Sequence, residues 1–424
     1  MALLFITLLV VAIMLSMPII VALAIVGATS LISVGETPIT FPMMLQDGLY
    51  SFVILAVPLF ILTGEILAKG KVAEKLIDFA NALVGWIPGG LGHANVVTSM
   101  LFANVSGSAV ADAASEGTIL VPQMIRRGYA KDFSVVVTSY SASIGILIPP
   151  SIGMILFSLV ADVSIGKLFL SGYIPGITYG LCLMALTLWI AKRKNYPTHE
   201  PFSIKNVFVR LGQCWVVLLI PITIVVGIVG GFFTPTEGAA VTASLSLIAA
   251  LVIYRGMSVR DLPASFIIVV RRSANTLLML AMSSVFSYYM VTQEIPQQFA
   301  ATILSWGLPD WQILFVIVIF LVFLGTFLSG APMILMMTPI FLPLIDGMGM
   351  DRVQFGLMMV FSICLAEQSP PVASVLMTTC SVTNFPITKA WSAAIPWFIL
   401  LFVFTLVVAY WPPLSMFLPN LVMG

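Results

Sequence analysis

Residues 102–117, FANVSGSAVADAASEG, restrict what this chain can fold into more than any other stretch. They gather Asn104, Ser106, Gly107, Ser108, Asp112, Ser115 and Glu116 inside a chain that is 60% hydrophobic and 8% charged. A soluble globular domain carries roughly 25% charged residues, so the chain reads as a polytopic membrane protein. An Asp at the bilayer centre costs about 2.5–3.5 kcal/mol on insertion scales and therefore faces protein or trapped water. Ser-Gly-Ser invites the backbone to unwind, which is tolerated at that depth only in a protein interior or along a cavity. The stretch is expected to be the tip and return arm of a re-entrant hairpin, and half of a binding site.

Several function classes fall away. The net charge is +1, which gives no reason to invoke nucleic acid. Cys182, Cys214, Cys364 and Cys380 are dispersed and read as buried small hydrophobes, while His93 and His199 are isolated, so no transition-metal site is expected. Residues 1–26 lack a basic leader and a clear cleavage site and are kept as part of a first span, 2–34.

A second span follows at about 50–67, then an amphipathic segment at 69–90. There Val72, Leu76, Phe79, Ala80 and Leu83 face away from Lys71, Glu74, Lys75 and Asp78, the pattern of a helix lying at the interface. The hairpin occupies about 92–125. The span 133–148 stops at Pro149-Pro150, which removes two backbone donors and blocks continuation. With Ser139, Ser141, Ser143, Gly145 and Ser151 around it, this broken helix suits an ion or substrate site. Residues 152–160 restart and 168–191 span. The hydrophilic run 192–210 divides the chain, and with Arg271 and Arg272 it reads as an interfacial anchor and orientation signal on the cytoplasmic side. Spans are expected at 212–231, 238–254, 274–292, 311–328, 353–366 and 390–411.

The second half repeats the first. Residues 293–311 match the amphipathic segment, with Trp306 answering Trp86, and FLSGAPM (327–333) matches the hairpin, with Ser329-Gly330 answering Ser106-Gly107. Pro122 and Pro149 are 149 − 122 = 27 apart, as are Pro343 and Pro370, 370 − 343 = 27. The first hairpin is flanked by Lys69, Lys71, Lys75, Arg126, Arg127 and Lys131, whereas the matching loops of the second carry only Arg352. One repeat thus sets its turns in the cytoplasm and the other outside. Inverted-topology repeats of this kind hold substrate and coupling ions at their interface near the bilayer midplane. The expected class is an all-α polytopic membrane protein of two inverted repeats, each with a re-entrant helical hairpin and a broken helix. The division is 1–91 (frame with interfacial helix), 92–172 (first transport repeat), 173–310 (central spans and second interfacial helix), 311–390 (second transport repeat) and 391–424 (last span).

FANVSGSAVAD (102–112), GTILVPQMIRRGY (117–129), IGILIPPSIGMILF (144–157), GGFFTPTEGAA (230–240) and FLSGAPM resemble the large membrane subunit of tripartite ATP-independent periplasmic (TRAP) transporters, the DctM-like family. The resemblance covers essentially the whole chain. It implies an elevator-type secondary transporter in the bacterial inner membrane, driven by sodium and importing organic acids of the sialic acid or C4-dicarboxylate kind. It also implies a periplasmic substrate-binding protein and a small four-helix membrane subunit, fused to the large subunit in some relatives and expected as a separate chain here. The matched hairpin implies sodium and substrate near Ser106, Ser108 and Asp112.

Sodium takes oxygen ligands, which unwound carbonyls and hydroxyls supply without clustered carboxylates. The sodium candidates are Ser106, Gly107, Ser108, Gly145, Ile148 and Pro149, and in the second half Gly330, Ala331, Gln368 and Ser369; Glu367 reads as a structural partner. The substrate candidates are Asn104, Asp112, Ser143, Ser151, Ser329 and Glu237. Glu237 is equally readable as the first-turn acid of a helix capped by Thr234 or Thr236. No arginine in the hairpins offers a carboxylate clamp, so the anion is assigned to helix N-termini at the tips. Proton coupling through Asp112 is the alternative within transport. A channel is disfavoured by two broken hairpins in one chain. An intramembrane protease lacks its GxGD-like or Gly-x-Ser-plus-His arrangement.

Overall fold

A computed structural model describes residues 17–70, 72–198 and 201–424. The expected beginning of the first span, residues 2–16, and the side chains of Asn104 and Ser106 lie outside the described residues.

The described chain is helical throughout. Helix α1 (Ile19–Ser33) leads to a short α2 (Thr40–Asp47), and a 3₁₀ turn at Phe52–Leu55 opens α3 (Ala56–Lys69). Amphipathic α4 (Val72–Val84) buries Val72, Leu76, Ile77 and Ala80 against α5 (Gly90–Ser106), so its apolar face covers protein as well as interface. Helix α5 stops because Gly107 turns left-handed (φ 59°), a conformation glycine adopts without a Cβ penalty. The Ser108 hydroxyl then accepts the amide of Ala111 and caps the return arm α6 (Ala109–Arg126).

Next come α7 (Lys131–Ala142), a 3₁₀ turn at Ser143–Ile146, the Pro149-Pro150 break and α8 (Ile152–Ala161). The helix therefore ends earlier than the prolines alone suggest. Long α9 (Ile165–Arg193) crosses to the middle of the chain. Helix α10 (Ile204–Ile224) and helix α11 (Pro235–Ile248) each run into a π turn, at Val225–Val229 and Ala249–Ile253. Helix α12 (Leu262–Thr292) is followed by amphipathic α13 (Ile295–Ser305). The second hairpin is α14 (Asp310–Gly325) and α15 (Gly330–Gly347). Its broken helix is α16 (Arg352–Glu367), Pro370-Pro371 and α17 (Ser374–Val382). Helix α18 (Ile387–Tyr410) and a short α19 (Pro412–Met423) close the chain. Both double prolines have cis peptide bonds.

Seven of the described helices are long and apolar enough to cross a membrane. The core centres on the two broken helices: every residue from Phe133 to Ala142 and from Val353 to Ala366 is buried. Several buried polar groups there pair with one another, as groups taken out of water generally do. Ser141 donates to Asn95 Oδ1 at 2.9 Å, and Gln368 Nε2 donates to the Ser139 carbonyl and to Ser143 Oγ, both at 2.8 Å. Ser139 Oγ returns a bond to Gln368 Oε1 at 2.9 Å.

Two expected boundaries shift. Helix α10 begins at Ile204, inside the hydrophilic run, where Ser203 Oγ accepts the Asn206 amide at 3.4 Å, and Arg210 then pairs with Asp78 of α4 at 3.0 Å. Helix α12 begins at Leu262 rather than near residue 274, which places Arg271 and Arg272 inside a continuous 31-residue helix rather than at its end. Helices α2 and α19 add to the expected spans; both are short, and their apolar residues pack on α12 and α9 respectively.

Candidate functional site

The first hairpin tip rests on the break of its broken helix, and the second on the last turns of α16. A Cβ at Gly107 would lie 3.2 Å from the Pro150 carbonyl, and a Cβ at Gly145 would collide with the Asp112 carboxylate. Gly145 is therefore the space into which a fully buried Asp112 fits. One turn on along α6, Glu116 is also buried and accepts the Ser99 hydroxyl at 2.6 Å. In the second half a Cβ at Gly330 would lie 3.1 Å from Ile363 Cγ2 and 3.7 Å from Glu367 Oε1. A carboxylate thus flanks the tip–break junction in both halves, from α6 in one and from the end of α16 in the other.

The return arms cross over. Helix α6 packs on α17, where a Cβ at Gly117 would meet Val382 at 3.0 Å; α15 packs on α8, where a Cβ at Gly153 would meet Ile334 at 3.1 Å. This brings the two tips to one cavity of about 750 Å³. Its lining includes Ser108, Asp112, Ser115, Ser329 and Ala331 from the tips and return arms, and Glu65, Arg272, Asn275 and Thr276 from α3 and α12. Arg272 is the one cation among the described lining residues. Its Nη1 lies 3.4 Å from Glu65 Oε2, while Glu65 Oε1 lies 3.0 Å from Lys69 Nζ. A second cavity, of about 730 Å³, meets α12 at residues 280–287, directly after the stretch 272–279 that faces the first.

A profile described as "Tripartite ATP-independent periplasmic transporter, DctM component" matches residues 6–414. The chain belongs to the DctM family. It is therefore a transporter permease rather than an enzyme, and a multi-pass protein of the bacterial inner membrane. It is 37% identical over 369 residues to a C4-dicarboxylate TRAP transporter large permease protein of Pseudomonas aeruginosa, covering 87% of this chain and 86% of that one. It is 33% identical over 413 residues to a sialic acid TRAP transporter large permease protein of Vibrio cholerae, covering 96% of each. Among solved structures it is similar to the YdaH transporter of Alcanivorax borkumensis, with TM-score 0.63, 13% identity and 89% of each chain covered; at that identity the likeness is one of fold.

Against this DctM-family frame, the residues expected at the site divide. Ser108, Asp112, Ser329 and Ala331 reach the cavity. Gly107 and Gly145 form the junction behind it, and Gly330 does the same in the second half. Ser143 and Gln368 are bound to each other in the core. Ser369 is tied to the Leu365 carbonyl at 2.6 Å, and Ser151 caps α8 by accepting the Met154 amide. The Pro149 carbonyl accepts the Tyr173 hydroxyl at 3.4 Å, and Ile148 packs against Gly176.

One expectation is corrected, and Arg272 takes a place the sequence did not give it. Glu237 is exposed and does not line the cavity. Its Oε2 accepts the Thr234 amide at 2.8 Å and hydroxyl at 2.9 Å while Thr234 accepts the Glu237 amide, a capping box that occupies the carboxylate in its own helix start. Arg272, expected as an interfacial anchor, lines the cavity. Sequence reasoning missed it together with Glu65, although an ionisable residue inside an apolar span is by itself a signal of function.

Proposed function

We propose that the chain is the membrane-spanning permease of a sodium-coupled importer of a small organic acid anion, of the C4-dicarboxylate or sialic acid type. A periplasmic binding protein delivers the anion, and a small four-helix membrane subunit completes the complex. The observation that carries the reading is the cavity on which both return-arm caps, Ser108 and Ser329, open together with the cation Arg272. A helix N-terminus attracts negative charge, so two caps and a guanidinium suit an anion. The names of the relatives supply the two substrate classes.

The tip–break junctions at Gly107–Pro150 and Gly330–Glu367 suit sodium, because unwound helix ends leave carbonyls without intrahelical partners. In this reading residues 92–172 and 311–390 are the inverted repeats that move together, and α3, α11 and α12 belong to the frame they slide against. The two cavities at consecutive stretches of α12 support movement along that helix.

The test is uptake of labelled succinate and of sialic acid into proteoliposomes holding the permease and the small subunit, with binding protein outside. Sodium and pH gradients are imposed separately. Uptake should follow the sodium gradient and require both partners. Uptake that follows the pH gradient alone would replace sodium by protons, and robust uptake by this chain by itself would end the tripartite reading.

A further inference from the structure

We propose that Arg272 is a carboxylate subsite on the α12 wall of the cavity, and that it exchanges Glu65 for a carboxylate of the transported acid. The proposal rests on the transport reading above and names the group that grips the cargo.

The Glu65 cluster has the geometry of an exchange. Glu65 is a nearly buried acid, with 8% of its side chain exposed, held between two cations. The contact to Lys69 is 3.0 Å and stays within α3, one turn away. The contact to Arg272 is 3.4 Å, longer than a good charge-assisted bond of about 2.7–2.9 Å. The Arg272 side chain is 56% exposed and lines the cavity. A guanidinium carries five N–H donors in a planar fork that matches a carboxylate in two parallel bonds. Among the described residues only Nη1 is engaged, so the rest of the fork remains for an incoming anion.

The energetic sign follows from Lys69. Breaking a buried ion pair is costly because it strands a charge. When Arg272 turns to a substrate carboxylate, Glu65 is not stranded, since Lys69 keeps it paired. Arg272 in turn trades one carboxylate for another. The exchange is thus nearly balanced for an acid and unavailable to a neutral molecule of the same shape. Ser108 and Ser329 line the same cavity as Arg272 and take the remaining polar groups of the cargo.

A bridge that only holds α3 to α12 would make loss of either partner harmful in the same direction. An exchange makes the two substitutions opposite, because Glu65 competes with the substrate. The measurement is the concentration of succinate or sialic acid that half-protects the purified complex of permease and small subunit against thermal unfolding, beside uptake by the same complex in proteoliposomes. Arg272→Gln should raise that concentration about tenfold or more, the loss of one charge-assisted contact. Glu65→Gln should lower it severalfold. Arg272→Lys should recover part of the loss, as a point charge without the fork. If Arg272→Gln does not assemble, Arg272→Lys and Glu65→Gln still decide the matter by moving in opposite directions. Shifts in the same direction, or none, while the wild type binds and carries the acid, would overturn the subsite and leave the transport reading standing. A wild type that neither binds nor carries any organic acid would bring down both.

Discussion

Gly145 shows how much one missing methyl group decides. It lies in the turn after α7, and the Asp112 carboxylate occupies the place where a Cβ would project. Gly145→Ala should force the carboxylate or the turn to move, costing about 1–3 kcal/mol as overpacking does. It should lower the melting temperature of the detergent-purified protein and abolish uptake. Gly212→Ala is the control: Gly212 sits in α10 with nothing within 4 Å of the place a Cβ would take, so replacement should be neutral or raise stability by up to about 1 kcal/mol. Equal effects at the two glycines would show that the Asp112 contact is incidental. At this scale the sequence reveals Asp112 because it sits among Ser, Gly and Ala in a stretch no lipid-facing helix would carry. It conceals Glu65 and Arg272 because each is a single polar residue in a long helix. Their meaning arises only when α3 and α12, which are 207 residues apart at this pair, come together.

Elements were legible where the backbone itself is interrupted. Gly107, the two double prolines and Ser329 mark helix ends through local chemistry that needs no tertiary partner. The start of α10 at Ile204 was passed over although its signal is local: Ser203 Oγ accepts the Asn206 amide at 3.4 Å inside the hydrophilic run. The segment TPTEG is readable both ways in sequence, and the mutual bonds of Thr234 and Glu237 resolve it. That resolution has a testable consequence. Thr234→Ala should cost about 1 kcal/mol of stability, the usual loss for an N-cap. Glu237→Gln should leave the half-protecting concentration of substrate unchanged, because its carboxylate serves the start of α11 and not the cavity. A severalfold change in that concentration on Glu237→Gln would return this residue to the substrate site.

Across the whole molecule one offset relates the two halves. Pro122 and Pro343 differ by 343 − 122 = 221, and the same interval separates Pro149 from Pro370, Gly128 from Gly349 and Lys131 from Arg352. Ser108 and Ser329, the N-caps of the two return arms, fall on it too (329 − 108 = 221), so Ser329 answers Ser108 rather than Ser106. Gly128 and Gly349 both adopt left-handed turns, with φ 87° and 70°. Lys131 donates to the Asn384 carbonyl at 3.1 Å and Arg352 to the Ala161 carbonyl at 3.2 Å, so a cation at the start of each broken helix caps the restart helix of the other half. Such reciprocal ties are what a two-fold relation produces. If the axis lies in the membrane plane, α4 and α13 must sit on opposite faces. Glu74 and Gln297 are exposed on those two helices and offer labelling positions. In intact cells with an opened outer membrane, a membrane-impermeant maleimide should modify Gln297→Cys directly and Glu74→Cys only after lysis, since the basic residues around α4 place it in the cytoplasm. Modification of both from the same side would leave a parallel repeat, in which the two tips could not approach the midplane from opposite faces.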